Sequence, residues 1–160
     1  MRHELALSTY NLGRASQDLG RTKAATTRYE IALRMSEADG FLDVCTLALN
    51  ALASAAFECG QYRRSARLGE RLATVASRSG DVEHQLSGLH MLACSLRAMS
   101  RADDRAFANA LGTARATARP EWIVRFLVDG SRVRGRGGLG LPDLASVRRH
   151  ARREGASGHA

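Results

Sequence analysis

Aromatic residues and prolines are scarce in this sequence. Aromatic side chains make up 5% of the 160 residues, and proline occurs twice, as Pro120 and Pro142. A β-sandwich core depends on aromatic and β-branched side chains, whereas few prolines permit long uninterrupted helices. Hydrophobic residues still account for 44% of the chain, and alanine is abundant among them. The composition therefore favours one domain of closely packed helices.

Cysteines are also few, and no CxxC pair is present. The three thiols, Cys45, Cys59 and Cys94, all fall in apolar helical patterns. An odd number without such a pair argues against a disulfide framework and a cysteine-based zinc site, so buried free thiols are expected. The longest uncharged stretch, residues 44–57, is too short to span a bilayer, and the N-terminus has no signal-peptide pattern. We expect a cytoplasmic protein with no membrane partner.

A repeat of forty residues runs through most of the chain. Shifting the sequence by this period superimposes small residues on small ones, large apolar residues on large ones, and helix breakers on helix breakers. The matched triples are Leu12, Leu52 and Leu92; Gly13, Ala53 and Ala93; Leu19, Cys59 and Met99; Gly20, Gly60 and Ser100; Thr26, Ala66 and Ala106; and Gly40, Gly80 and Pro120. Such self-similarity is typical of stacked structural repeats.

Each repeat contains two helical patterns. In the first helix of the second repeat, apolar residues recur in steps of three and four, at Leu42, Cys45, Leu49, Leu52, Ala56 and Cys59. This spacing forms one stripe along a helix and predicts the face that packs in the core. The same reasoning assigns a core stripe of Leu5, Thr9, Leu12, Ser16 and Leu19 to the first repeat. Second helices are predicted over 23–38, 62–78 and 102–118, with Gly20 and Gly60 ending the preceding ones. They carry small residues such as Gly69, which let the two helices of a hairpin approach closely.

The first repeat resembles the tetratricopeptide repeat. The resemblance rests on Leu12-Gly13, Gly20, and the order Ala25, Tyr29 and Ala32. Thr9 and Ser16 stand where that family has a Trp and an aromatic residue, and the later repeats match less well. The forty-residue period exceeds the family's usual period of about 34. Such longer repeats are similar to tetratricopeptide modules attached to large bacterial transcription regulators and signalling ATPases.

The expected fold class is all-α: a short right-handed solenoid of three such helical hairpins, a capping helix and a basic C-terminal helix. Residues 1–133 would form the repeat domain with its capping helix, whose apolar face is Trp122, Ile123, Phe126 and Leu127. Residues 134–141 would form a Gly-rich linker. Residues 142–160 would form the basic helix and tail.

No motif in the sequence indicates an enzyme, a cofactor site or a metal site. No two of the five histidines are spaced i, i+4, and no strand precedes the Gly-rich segment 134–140. His90 and Cys94 are four residues apart and within reach on a helix, but no third residue that would orient them is evident from the sequence. We therefore predict no catalytic residues, no cofactor and no metal.

The tetratricopeptide resemblance implies a concave groove lined by the first helix of each repeat. At about 100° per residue, a second face lies opposite the core stripe of these helices. Its residues are Tyr10, Arg14, Gln17, Asn50, Ser54, Phe57, His90, Cys94 and Arg97. We predict a non-enzymatic interaction module that binds a peptide or protein segment there, in regulation or within a larger transcription regulator. On this interpretation Phe57 is an exposed side chain that anchors the ligand, so Phe57→Ala and Arg97→Glu weaken binding with little loss of stability.

The charge distribution supports an alternative function. The net charge is +8, and residues 119–160 carry nine arginines against four acidic residues. The candidate nucleic-acid contacts are Arg132, Arg134, Arg136, Arg148, Arg149, Arg152 and Arg153. No aromatic residue interleaves with them after Phe126, so phosphate contact is favoured over base stacking. A small-molecule sensor using the groove is a third, weaker alternative, and the sequence is compatible with a homo-oligomer.

Overall fold

The computed structural model describes residues 1–99 and 104–134, and within them the chain is entirely helical. Its seven helices are α1 (Arg2–Asp18), α2 (Thr22–Asp39), α3 (Leu42–Glu58), α4 (Tyr62–Ser79), α5 (Val82–Ala98), α6 (Asp104–Ala116) and α7 (Pro120–Arg134). The predicted all-α class is confirmed, and the predicted second helices agree with α2, α4 and α6 to within two residues. The predicted basic helix lies outside the described residues, as does the Gly-rich linker after Arg134.

Glycines at regular intervals end the first four helices. Gly20, Gly40, Gly60 and Gly80 all have left-handed backbones, with φ between +70° and +75°. The residue after each glycine donates its N–H back into the last helical turn, as Arg21 does to the Ser16 carbonyl at 2.8 Å. Side chains other than glycine rarely adopt this conformation, so glycine is favoured at these turns. Ala118 takes the same role after α6, with φ +51°.

Consecutive helices pack against one another, and the odd-numbered helices also contact each other in succession. Contacts join α1 to α3, α3 to α5, and α5 to α7. Polar pairs mark each step: His3 to Asp43 at 2.7 Å, Ser87 to Asn50 at 2.9 Å, and Trp122 to Glu83 at 3.0 Å. Helices α2 and α4 are linked by ion pairs from Arg64 to Glu30 at 2.6 Å and from Arg71 to Glu37. Each pair joins residues 34 to 40 positions apart, close to one repeat.

The buried side chains form two clusters. The first lies among α1–α4 and contains Tyr29, Leu49 and Leu72. The second lies among α5–α7 and contains Leu86, Phe107 and Phe126. The predicted apolar face of α7 is confirmed, since Trp122, Ile123 and Phe126 are buried and Leu127 packs against them.

The predicted core stripe is correct for most of α3 but wrong for the leucines of α1. Leu5, Leu12 and Leu19 are 59%, 56% and 69% exposed, whereas Leu52 is 3% exposed. Leu52 lies in α3 and faces α2, where it lines a cleft with Thr26. Within the described part of the chain, no helix packs on the corresponding side of α1. The apolar spacing is therefore present in α1, but within these residues α1 lacks the neighbouring helix that buries the equivalent leucine in α3.

The backbones of α4 and α5 approach closely at two glycines. A Cβ atom added to Gly88 would lie 2.5 Å from the Gly69 carbonyl oxygen and 2.6 Å from the Ala73 nitrogen. A Cβ at Gly69 would lie 2.8 Å from the Gly88 carbonyl oxygen. Gly69 was expected to allow close packing within a hairpin, but its close contact is with α5, the first helix of the next repeat. Because the obstructing atoms are backbone, these two helices cannot keep their spacing with larger residues there.

We expect Gly88→Ala to destabilise the fold by about 1–3 kcal/mol, the range for overpacking a core. Urea unfolding followed by circular dichroism would measure the change. Gly112→Ala is the matched control, because Gly112 lies in α6 with no atom within 4 Å of an added Cβ. That change should stabilise the helix by about 0.5–1 kcal/mol. Equal effects of the two substitutions would contradict the close approach of α4 and α5.

Two leucines one repeat apart provide a second test. Leu52→Ala should cost about 2–5 kcal/mol in unfolding free energy, because it leaves a cavity in the first cluster. Leu12→Ala should cost less than about 1 kcal/mol, because its side chain is more than half exposed. The same urea titrations measure both. A large cost for Leu12→Ala would show that another surface covers α1 in solution.

Candidate functional site

One predicted groove residue of α1, Tyr10, forms a pair with Tyr29 of α2, and the other two lie next to this pair. The Tyr10 ring packs against Tyr29 of α2 with centroids 5.5 Å apart, and the Tyr29 hydroxyl donates to Gln17 Oε1 at 2.7 Å. Burial raises the pKa of both phenols, so both keep their protons at neutral pH. Gly13 makes room for this arrangement, since a Cβ there would lie 2.6 Å from the Tyr29 ring. Arg14 is exposed and close enough for its charge to act on both phenols, where it opposes the effect of burial.

On α3, the predicted residues are half-buried and take part in the fold. Asn50 accepts a hydrogen bond from Ser87 of α5, and Ser54 is half-buried without a described partner. Phe57 meets the Tyr62 ring edge-on at 5.3 Å and packs against the second cluster. The expectation that Phe57 is a freely exposed anchor is therefore wrong. Its ring packs between α3 and the helices that follow, so Phe57→Ala would lower stability as well as affect binding.

On α5, two of the three predicted groove residues, His90 and Arg97, contact α7. His90 Nε2 lies 2.7 Å from Asp129 Oδ2, and Arg97 donates to the Asp129 carbonyl oxygen at 2.7 Å. The Arg97 guanidinium also lies 5.6 Å from the centre of the Phe107 ring. Arg97→Glu would break these contacts, so we now expect it to lower the stability of the fold, contrary to the sequence-based expectation of little loss. The part of the predicted surface that α7 leaves uncovered is formed by α1 and by the half-buried residues of α3.

Asp129 is the residue that sequence reasoning missed. It lies in the helix predicted only as a cap, far along the chain from His90 and Cys94. The forty-residue period contains the signal, since Asp129 follows His90 by one residue less than a repeat. Trp122 and Glu83 are related by the same interval and are hydrogen-bonded. Residues about one repeat apart on the odd-numbered helices therefore contact each other. Applied to His90, this relation predicts the contact with Asp129.

The trio His90, Cys94 and Asp129 contains the residue types of a nucleophilic triad, but its geometry differs from one. Cys94 Sγ and Asp129 Oδ2 both contact the same imidazole atom, Nε2, at 3.5 Å and 2.7 Å. An orienting carboxylate and an activated thiol normally use opposite ring nitrogens. Burial raises the pKa of the Cys94 thiol to about 11, although Arg97 acts in the opposite direction. The thiol is therefore protonated at neutral pH and is not an activated nucleophile.

The arginines of the nucleic-acid alternative fall largely beyond the described residues. Arg132 and Arg134 belong to the last turn of α7. The other five, Arg136, Arg148, Arg149, Arg152 and Arg153, lie outside the described part of the chain. Of the three cysteines, Cys45 and Cys94 are buried as expected, whereas Cys59 is exposed because it follows the last residue of α3.

No family model matches the sequence, and no curated protein matches it either. Among the helices of residues 1–99 and 104–134, none has the length and apolar character needed to cross a membrane.

The burial of the three thiols predicts their order of alkylation. At neutral pH iodoacetamide should modify Cys59 fast and Cys45 and Cys94 slowly, as followed by peptide mass spectrometry. The rate at Cys94 should rise by about tenfold per pH unit until the pH reaches its pKa, because the thiolate is the reactive form. Unfolding in urea should equalise the three rates. Fast modification of Cys94 at neutral pH would contradict the buried, protonated thiol and favour thiol chemistry.

Proposed function

We propose that this protein is a non-enzymatic interaction module that binds a peptide or protein segment on the face formed by α1 and α3. The proposal takes the helices as a short right-handed solenoid of tetratricopeptide-like hairpins. Pairwise packing of consecutive helices and the succession of contacts along α1, α3, α5 and α7 support that arrangement. Stacked hairpins of this kind present one row of helices as an extended binding surface.

The observation that carries the proposal is the open position of Arg14 beside the tyrosine pair. Arg14 is exposed, and no hydrogen bond or ion pair joins it to another described residue. Arginine offers a planar set of donors that matches a carboxylate. The half-buried Tyr10 ring next to it offers apolar area and a hydroxyl group at little entropic cost. This pairing suits a segment that carries an acidic side chain near an apolar one.

The α3 part of the face supplies groups that suit a peptide backbone. Ser54 provides a hydroxyl, and the exposed edge of Asn50 provides an amide whose oxygen already accepts from Ser87. Side-chain amides and hydroxyls both donate and accept, so they pair with the N–H and C=O groups of an extended chain. At α5 the face is closed by α7. The bound segment therefore runs over α1 and α3, and we place its role in regulation, alone or within a larger transcription regulator.

The test is a selection of peptides from a random display library on the immobilised full chain. Affinities of the selected peptides would then be measured by fluorescence anisotropy. Arg14→Glu should weaken binding about tenfold, or about 1.4 kcal/mol. Arg67→Glu is the matched control, because it reverses an exposed arginine on α4, away from the face. It should leave the affinity unchanged, and thermal melts should show that both variants remain folded.

The selection also separates this proposal from the nucleic-acid alternative. Peptide binding governed by one arginine should depend weakly on salt, whereas contacts to several phosphates make affinity fall steeply with salt. A failure to enrich peptides, or equal effects of Arg14→Glu and Arg67→Glu, would overturn the proposed face. Tight, steeply salt-dependent binding of oligonucleotides by the same chain, without peptide binding, would favour the alternative.

A further inference from the structure

Three side chains with metal-binding atoms converge where α5 meets α7. His90 and Cys94 lie one turn apart on α5, and Asp129 reaches them from α7. The imidazole nitrogen, the thiol sulfur and a carboxylate oxygen all lie within 4.8 Å of one another. His90 and Asp129 are about one fifth exposed as side chains, and Cys94 is buried. The cluster is thus held within the fold and still reaches solvent.

The distance between the His90 nitrogen and the Cys94 sulfur fits two ligands of one small cation. Tetrahedral zinc sites have Zn–N and Zn–O bonds of about 2.0–2.2 Å and Zn–S bonds of about 2.3 Å. In a tetrahedron these bonds separate neighbouring ligand atoms by roughly 3.3–3.7 Å. Cys94 Sγ is already 3.5 Å from His90 Nε2, and Asp129 Oδ2 lies closer, at 2.7 Å. Zinc binding therefore requires the Asp129 carboxylate to move away from His90 Nε2.

We infer that His90, Cys94 and Asp129 bind a divalent transition-metal ion of the zinc class. Thiolate, imidazole and carboxylate together favour Zn²⁺ over Mg²⁺ or Ca²⁺, which prefer oxygen ligands alone. Three protein ligands leave the fourth position to water or to a group from a partner. Binding displaces the proton of the Cys94 thiol to solvent and replaces the direct contact between His90 and Asp129 with two metal bonds.

The surroundings of the cluster are compatible with a bound cation. The Arg97 guanidinium lies 3.9 Å from Cys94 Sγ, and Arg125 stacks on Trp122. The charges of Zn²⁺, a thiolate and a carboxylate cancel, so these arginines face a neutral centre. Trp122 and Phe126 also pack against the His90 ring, at centroid distances of 5.9 Å and 5.7 Å. These rings limit the orientations of the imidazole.

A bound ion would tie α7 to α5. The ligands come from two helices that are also linked by the contacts of Arg97 and Trp122. An ion that binds only when these helices are packed stabilises the folded state by mass action. Zn²⁺ should therefore raise the thermal midpoint, and the increase should depend on Cys94. This inference does not rely on the peptide-binding face, which lies on α1 and α3.

The test is a titration of the reduced full chain with Co²⁺, a spectroscopic substitute for Zn²⁺. A tetrahedral site with one thiolate should give visible d–d bands and a near-ultraviolet sulfur-to-cobalt band that saturate at one equivalent. Zn²⁺ should then displace Co²⁺ and remove the bands. Cys94→Ser should abolish the sulfur band. Asp129→Asn should weaken binding by about tenfold or more, since even indirect partners of metal ligands contribute this much.

Two control variants test whether the spectrum depends on the proposed ligands, and circular dichroism tests whether each variant is folded. Cys59→Ser removes the exposed thiol and should leave the spectrum unchanged. The double variant His150→Ala, His159→Ala removes histidines elsewhere in the chain and should do the same. If circular dichroism shows that Cys94→Ser is unfolded, the Co²⁺ affinity of Asp129→Asn tests the inference instead. Absence of a thiolate band, its survival in folded Cys94→Ser, its loss in Cys59→Ser, or unchanged affinity in Asp129→Asn would overturn the inference.

Discussion

The close contact between the backbones of α4 and α5 is the constraint on which the rest of the structure depends. At Gly69 and Gly88 no side chain separates the two helices, and a single added carbon at either would meet backbone atoms. This spacing joins the two buried clusters, because α4 contributes to the first and α5 to the second. Larger residues at either position would separate the clusters and the surfaces built on them.

Polar pairs one repeat apart then fix how the odd-numbered helices lie beside one another. The pairs from α1 to α3 and from α3 to α5 are hydrogen bonds between side chains near the surface. From α5 to α7, an interval of 39 residues joins Glu83 to Trp122 and His90 to Asp129. Helix α7 thus continues the row, beyond the role of a terminal cover. Its position closes one end of the proposed peptide-binding face and creates the His90, Cys94 and Asp129 cluster.

The two proposed activities use different ends of this row. On α1, Arg14 is exposed and the tyrosine pair is held by packing, so the surface is formed before a ligand arrives. On α5, the polar groups already contact α7. A metal ion can replace such contacts, whereas a peptide needs polar groups that are not yet paired. At the α5 end, burial raises the pKa of the Cys94 thiol to about 11, so this thiol is protonated at neutral pH.

The sequence by itself determined the helical class, the repeat period and the helix ends. Apolar spacing and the regular glycines are local signals, and local geometry alone decides them. It also indicated Gly69 as a point of close packing, although not its partner on α5. Only the tertiary structure decided which apolar stripe is covered, because Leu12 and Leu52 occupy equivalent positions and differ only in having a neighbouring helix. The same holds for Phe57, which packs against Tyr62, and for Asp129, which meets His90 through the packing of α7 on α5.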